Sequence, residues 1–459
     1  MIHRYQKKGL NFVLDVNSGA VHLLDDISYA VSGLLDENMG DTCPQSIIDA
    51  LPDYTADEIR EAYDELYELK KAGQLFAQDD YIDVSRYIPV NAPVKALCLH
   101  VAHDCNLRCQ YCFASTGDFG QGRKIMPPEI AKKAIDFVIA RSGVRHNIEV
   151  DFFGGEPLMA WDTVTQTVDY ARSLEKKYNK KFRFTITTNG LLLDEDKRKY
   201  INENMDNCVL SLDGRREVND EFRKTVAGTG SYDTIVPKFK ALVDERDPNL
   251  DYYARGTFTS HNLDFAEDVL SIADAGFDRL SVEPVTADPG CGYDLTEDDL
   301  PKIEAEYDRL TDIMLERKKE GKPFTFFHFM VDLDQGPCVV KRLRGCGAGY
   351  EYVAVTPDGD IYPCHQFVGK DEFKQGSVLD QSFNMDIAQT FAGMNIYSRP
   401  KCQKCWAKFY CSGGCSAANY NMNHDMNDSY DLGCEMERKR LECAIYLKAM
   451  DKICANQSK

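Results

Sequence analysis

Residues 96–112 read ALCLHVAHDCNLRCQYC, a nearly continuous apolar run that breaks into three cysteines spaced C-x3-C-x2-C: Cys105, Cys109 and Cys112. A run apolar on both faces fits a strand of a parallel sheet covered by helices. Working outward, strand and helix patterns alternate six times. The strand candidates are Ala96–Val101, Ile148–Phe153, Phe182–Thr187, Val209–Leu212, Tyr253–Thr259 and Leu280–Val285. Helical periodicity fills the gaps at Pro128–Arg141, Thr163–Tyr178, Asp194–Asn204, Tyr232–Asp244 and Leu263–Ala275, and Glu297–Lys319 follows the last strand. Right-handed crossovers curl such a unit into a whole or partial barrel, with site residues at the C-terminal ends of its strands.

The rest of the chain sets the context. At 459 residues it has room for about three domains. No apolar run approaches the ~18 residues of a membrane span, and Met1–Gln6 has no apolar signal core. A cytoplasmic protein is the expectation. The net charge of -20 argues against a phosphate-backbone partner. In a reducing compartment, 17 cysteines point to metal ligation or catalysis before disulfides.

Residues 1–92 hold 17 acids and 7 bases, so half the net charge sits in a fifth of the chain. Apolar runs at Leu10–Val16 and Ala20–Leu24 flank Asn17-Ser18-Gly19, a hairpin signal. Helical patterns follow at Ile27–Leu35, Pro44–Leu51 and Ala56–Ala72, the last opened by a Thr55/Glu58 capping box. A short hairpin with three helices reads as a winged helix-turn-helix. DNA binding is disfavoured, because the third helix carries Asp57, Glu58, Glu61, Asp64, Glu65 and Glu68 where a recognition helix needs bases. Such a shape suits a peptide: an exposed strand edge accepts an added strand beside an apolar helix wall. The bland alternative is a small acidic packing domain.

Three thiolates on one loop can hold three irons of a cubane and leave the fourth open. A zinc site would want a fourth nearby Cys or His, and His103 lies on the wrong side for a compact knot. The loop, with Tyr111 just before the third cysteine, resembles the signature of the radical S-adenosylmethionine (radical SAM) enzymes. The resemblance implies a [4Fe-4S] cluster whose open iron chelates S-adenosylmethionine, and a 5′-deoxyadenosyl radical as the hydrogen abstractor. Further motifs agree at successive strand ends. Gly154-Gly155-Glu156-Pro157 resembles the family's GGEP element, with Glu156 implied at the cofactor's ammonium. Thr187-Thr188-Asn189-Gly190 offers Asn189 near its carboxylate, and Ser211-Leu212-Asp213-Gly214 offers Ser211 to the ribose. Arg223 is a candidate for the carboxylate, and Tyr111 for the adenine.

The C-terminal region has its own pattern: Cys346-x12-Gly359-x4-Cys364, then Cys402-x2-Cys405-x5-Cys411-x3-Cys415 and Cys434. So many thiols in a segment poor in long apolar elements imply metal-dependent folding. Tandem zinc knuckles are the alternative. The pattern resembles the SPASM extension of radical enzymes that modify peptides. By that resemblance Cys402, Cys405, Cys411 and Cys434 fully ligate one auxiliary [4Fe-4S] cluster, and Cys346, Cys364 and Cys415 hold another. Cys338 either completes the second set or leaves an iron open to a substrate thiolate, a natural soft ligand. The remaining cysteines, Cys43, Cys98, Cys208, Cys291, Cys443 and Cys454, have no partner spacing.

The expected architecture is therefore α/β: a winged helix-turn-helix leader-peptide recognition domain over 1–88, a partial (β/α)6 barrel over 93–325, and a SPASM domain over 336–450. The whole pattern resembles maturases of ribosomally made peptides, closest to thioether-forming enzymes of the sactipeptide and ranthipeptide type that act on SCIFF-class precursors. The resemblance implies three [4Fe-4S] clusters, S-adenosylmethionine, and an external one-electron donor of ferredoxin or flavodoxin type. The partner is a Cys-rich precursor whose leader binds near Val21–Leu24 and Glu61–Lys71. Hydrogen abstraction from an acceptor residue, followed by coupling to a Cys sulfur and loss of an electron through the auxiliary clusters, gives a thioether. Rival readings are a carbon–carbon crosslink or formylglycine made by a related SPASM enzyme, and a non-catalytic iron–sulfur peptide chaperone. Glu283 and Arg255 face the expected cavity as positioning or structural groups.

Overall fold

In the computed structural model, which describes residues 1–83, 92–333 and 342–457, the chain divides into two units. One gathers Met1–Tyr87, Phe329–Gly345 and Met394–Lys459; the other gathers Ile88–His328 and Cys346–Gly393.

The first unit opens with an antiparallel sheet of β1 (Ile2–Lys7), β2 (Leu10–Asp15) and β3 (Val21–Leu24), with β2 in the middle. β1 was not legible as a strand, since Ile2-His3-Arg4-Tyr5-Gln6-Lys7 lacks apolar alternation. It is fixed by its turn: Lys8 and Gly9 both have positive φ, 52° and 76°, as a tight two-residue hairpin requires. Helices Asp26–Ser32, Gln45–Ala50 and Ala56–Lys71 follow; the last two lie within the predicted spans, and the first begins one residue before its span and ends three residues short of it. The last buries Ile59, Ala62, Tyr63 and Leu66, positions i, i+3, i+4 and i+7. Its six acids are all exposed, so the charge lies on the solvent face. The predicted capping box is present, with Thr55 N donating to Glu58 at 2.8 Å.

The C-terminal helix Asp431–Gln457 belongs to this same unit and meets β1. Tyr5 Oη donates to the Glu442 carbonyl at 3.2 Å, and Lys7 Nζ to Cys443 Sγ at 3.2 Å. These contacts give polar β1 its partner. No sequence pattern within β1 announces them.

The other unit is built on parallel strands in the order β11-β10-β9-β8-β7-β6-β4-β12. These are β4 (Ala96–His103), β6 (Asn147–Gly154), β7 (Lys181–Thr188), β8 (Asn207–Ser211), β9 (Asp251–Phe258), β10 (Arg279–Pro284), β11 (Thr325–Phe326) and β12 (Tyr352–Val355). The short β5 (Lys124–Ile125) pairs antiparallel with β4. The six expected strands are present in sequence order, separated by helices at the expected places. Helix Pro128–Arg141 shows why: Ala131, Ala134, Ile135, Phe137 and Val138 form one buried face, each large apolar side chain contributing roughly 1.5–3 kcal/mol. β12 was not expected. It extends the sheet parallel to β4, with Tyr352 opposite Ala96 and Val355 opposite Leu99. Among the described residues no helix is long and apolar enough to cross a membrane.

Candidate functional site

The C-terminal ends of β4 and β6 through β10 open onto one cavity of about 250 Å³. Cys105, Cys109, Cys112, Tyr111, Gly154, Gly155, Glu156, Asn189, Ser211 and Arg223 all line it. Motifs scattered over more than a hundred residues of sequence thus converge, because a parallel sheet brings every strand end to the same side.

The cysteine loop is held from both flanks. Arg108 N donates to the Lys224 carbonyl at 2.7 Å and Gln110 N to that of Phe222 at 3.2 Å. Leu107 N and Asn189 Nδ2 approach Cys105 Sγ at 3.4 and 3.5 Å, donors aimed at sulfur. Burial pushes the Cys105 and Cys109 thiols up to about 12. Such groups carry charge at neutral pH only when a cation takes the proton's place. Among the described residues no three His, Cys, Asp or Glu side chains are gathered tightly enough for a single metal ion. The three thiols instead surround a space beside two glycines. A Cβ on Gly117 would stand 2.7 Å from Cys105 Cβ, and one on Gly155 2.1 Å from the Asp104 carbonyl oxygen. This donor set suits a cubane, in which each iron takes its own thiolate.

Glu156 is 1% exposed and holds the next loop in place. Its Oε1 accepts from Leu158 N at 3.0 Å and Thr188 Oγ1 at 2.7 Å, and its Oε2 from Asn189 N at 2.8 Å. Burial pushes the carboxyl up to about 7 against these three hydrogen bonds, which pull it down.

Asp213 is the residue that sequence reasoning passed over. It stands in the Ser211–Gly214 motif, from which Ser211 was chosen, yet it is wholly buried. Tyr111 Oη donates to its Oδ2 at 2.5 Å, Thr257 N donates to its Oδ1 at 3.0 Å, and Arg223 Nε lies 3.0 Å from Oδ2. Arg223 also sits over the Tyr111 ring, 5.6 Å from its centroid. Burial opposes the guanidinium charge, but Asp213 and its neighbours outweigh it and keep the group protonated. An Asp inside a turn motif gives no sign of this; only the fold brings residues 111 and 223 to it. Arg255 and Glu283 do line the cavity, paired at 2.6 Å. His365 and Gln366, from the segment after Cys364, line it as well.

A second cavity, of about 190 Å³, lies in the unit that includes the N-terminus, and Cys402, Cys405, Cys411 and Cys434 all line it. Burial pushes Cys411 up to about 12 and Cys434 up to about 11, the latter against the nearby Arg438 charge. Of the remaining expected ligands, Cys346 and Cys364 fall in one unit and Cys415 in the other. Cys338 lies outside the described residues.

Two family descriptions match the chain: the Radical SAM superfamily over residues 99–251 and the SPASM iron–sulfur cluster-binding domain over residues 346–406. The chain carries a radical SAM domain and a SPASM domain. Among similar proteins is a cysteine-type anaerobic sulfatase-maturating enzyme of Clostridium novyi, 26% identical over 357 residues, 72% of this chain and 90% of that one. The structure of anSMEcpe with bound AdoMet and a Kp18Cys peptide shares the fold at a TM-score of 0.63 and 21% identity, covering 78% of this chain and 99% of that one. Streptococcus suis SuiB bound to the precursor peptide SuiA matches at a TM-score of 0.52 and 17% identity, covering 93% of this chain and 97% of that one. The strand-end motifs that converge on the first cavity all lie within the stretch matched as radical SAM, and residues of β9 and β10 beyond it also line the cavity.

Proposed function

We propose that this radical SAM protein forms intramolecular thioether crosslinks in a Cys-rich, ribosomally made precursor peptide. The observation that carries the reading is the pairing of two thiol-lined cavities with an acidic N-terminal domain. One cavity holds three cysteines among non-thiol walls, and the other holds four. The N-terminal domain offers an edge strand, β3, with Leu23 exposed at 42%. Similarity to proteins whose structures contain bound peptides agrees with a peptide substrate.

When bound, [4Fe-4S] clusters and S-adenosylmethionine supply a carbon radical that removes a hydrogen atom from the peptide. The chain's own residues do the positioning. Cys105, Cys109 and Cys112 hold the first cluster, and Asn189 and the Leu107 amide donate toward Cys105 sulfur. Glu156 would receive the cofactor ammonium, Arg223 and Asn189 its carboxylate, Ser211 the ribose, and Tyr111 the adenine; Gly154 and Gly155 let this loop pack against the Ala102 and Asp104 carbonyls. Cys402, Cys405, Cys411 and Cys434 hold one auxiliary cluster. By the sequence resemblance alone, Cys346, Cys364 and Cys415 are the candidate ligands of another, with Cys338 or a peptide thiolate as the candidate for a fourth place. The Arg255–Glu283 pair orients the peptide in the cavity. An external one-electron donor starts the cycle. The product lacks two hydrogens per crosslink, one lost as an atom and one as a proton and an electron.

The test is mass spectrometry of precursor incubated anaerobically with enzyme, reductant and cofactor, followed by thiol alkylation. Each crosslink should remove two hydrogens and one alkylatable thiol. Similarity to the sulfatase-maturating enzyme favours a second reading, oxidation of a Cys or Ser to formylglycine. That product carries a hydrazide-reactive aldehyde, and from Cys it exchanges sulfur for oxygen. A carbon–carbon crosslink would remove two hydrogens and leave every thiol free. An iron–sulfur chaperone would release no 5′-deoxyadenosine.

A further inference from the structure

A buried lysine lines the four-cysteine cavity, and its counter-ion comes from the other end of the chain. Lys408 stands between Cys405 and Cys411 in sequence and is 4% exposed. Its Nζ lies 2.7 Å from Asp79 Oδ2, with the rings of Phe409 and Tyr397 at 5.0 and 5.3 Å. Asp79 also accepts the Tyr397 hydroxyl. Burial raises its carboxyl, but the hydrogen bonds from Lys408 and Tyr397 outweigh this and hold it below the ordinary carboxylate range. Lys401 and Arg438 line the same cavity, but they pair with Asp431 and Glu435 of their own C-terminal segment.

The packing around the pair is shared in the same way. Val16 from the β2–β3 turn is buried in one cluster with Leu343, Ile396, Cys402 and Phe409, and Tyr81 and Trp406 pack against it. His3 stacks flat on Trp406 at 3.8 Å, one residue from Cys405. The N-terminal domain and the four-cysteine cavity thus share a core, crossed by a charge pair.

We propose that the Asp79–Lys408 pair sets the reduction potential of the cluster held by Cys402, Cys405, Cys411 and Cys434, and so couples that cluster electrostatically to the N-terminal domain. The proposal rests on the reading that these four cysteines ligate a cluster. Reduction adds one negative charge to the cluster. In a low-dielectric setting the Lys408 ammonium favours the reduced form and the Asp79 carboxylate opposes it. Asp79 and Lys408 are positioning residues, acting through charge without touching substrate.

The test is a potentiometric titration of full-length reconstituted enzyme, following the cluster by electron paramagnetic resonance near neutral pH. Asp79→Asn should raise the reduced-to-oxidised ratio at fixed potential by roughly tenfold, or about 59 mV for a one-electron couple. Lys408→Met should lower it by a similar factor, and the double variant should return near wild type. Lys408→Arg keeps the charge and Tyr397→Phe removes only a hydroxyl, so both should leave the potential in place. A structural ion pair alone would move the two single variants alike or not at all, and either result overturns the proposal. Iron analysis separates the two levels of failure. If Cys402→Ala keeps its full iron and spectrum, the four-cysteine reading itself is wrong; if the cluster is present and the potentials do not move, only this proposal falls.

Discussion

Tyr111 Oη donates to Asp213 Oδ2 at 2.5 Å, joining the cysteine loop to the end of the fourth barrel strand across a hundred residues of sequence. The same carboxylate pairs with Arg223 at 3.0 Å, whose side chain is only 10% exposed. Removing one partner of a buried pair leaves the other charge uncompensated, at a cost of about 3–5 kcal/mol. Asp213→Asn keeps the side-chain shape and an oxygen for Thr257 N but loses the charge. We expect it to weaken S-adenosylmethionine binding, measured by calorimetry, at least about tenfold, or 1.4 kcal/mol, with an unchanged far-ultraviolet dichroism spectrum. Wild-type affinity would remove the Tyr111–Asp213–Arg223 group from the binding site.

Gly155 is a steric requirement of the cysteine loop. A Cβ there would stand 2.1 Å from the Asp104 carbonyl oxygen and 3.0 Å from that of Gly117. Both contacts are backbone, so no side chain can swing away. Overpacking of this kind typically costs about 1–3 kcal/mol, and here the strain falls on the residue before Cys105. Gly155→Ala should therefore lower iron and sulfide retained at the Cys105/Cys109/Cys112 site after reconstitution. Full iron content in the variant would show that the loop moves freely.

The barrel was legible because each strand and helix carries its own period: alternating or continuous apolar strands, and helices with one buried face. Turn motifs at strand ends were legible because a parallel sheet places them together whatever their separation. What escaped was whatever depends on a partner from elsewhere. β1 is polar and is completed by Glu442 and Cys443. β12 is four residues long, and its identity as a sheet strand lies in its register against β4. Asp213 looks like a turn residue until Tyr111 and Arg223 arrive. Lys408 reads as a surface lysine beside cysteines, and only Asp79 explains its burial.

The third N-terminal helix depends on its cap. Thr55 Oγ1 accepts from Glu58 N at 3.3 Å while the Glu58 carboxylate accepts from Thr55 N and Oγ1 at 2.8 and 2.7 Å. Thr55→Ala removes the hydroxyl half of the box and should destabilise the helix start by ~1 kcal/mol. Because the chain has two units, one melting temperature would blur this. Hydrogen exchange at residues 56–60 reads it directly and should accelerate roughly fivefold, the Boltzmann factor of that energy. Unchanged protection there would mean that tertiary contacts, such as Ile59 in the core, already fix the first turn.

Glu156 gives a pH dependence with a definite sign. Burial raises its carboxyl from an ordinary 4.5 to about 7. Between those values the unfolded chain has released the proton and the folded chain still holds it. Stability is therefore lost as pH rises from about 4.5 to about 7. Ligand binding runs the other way. If Glu156 receives the ammonium of S-adenosylmethionine, the bound state needs the carboxylate, and below pH 7 binding must expel a proton. Affinity should then rise by up to about tenfold per pH unit toward neutrality and level off above it. Glu156→Gln should bind more weakly and lose the slope; its single oxygen can serve Leu158 N and Thr188 Oγ1 or Asn189 N, but not both sets of donors. Calorimetry in buffers of different ionisation enthalpy would count the expelled proton. A wild-type affinity that stays flat between pH 6 and 7 would mean that the carboxylate is already ionised, or that it serves only to hold the Asn189 loop.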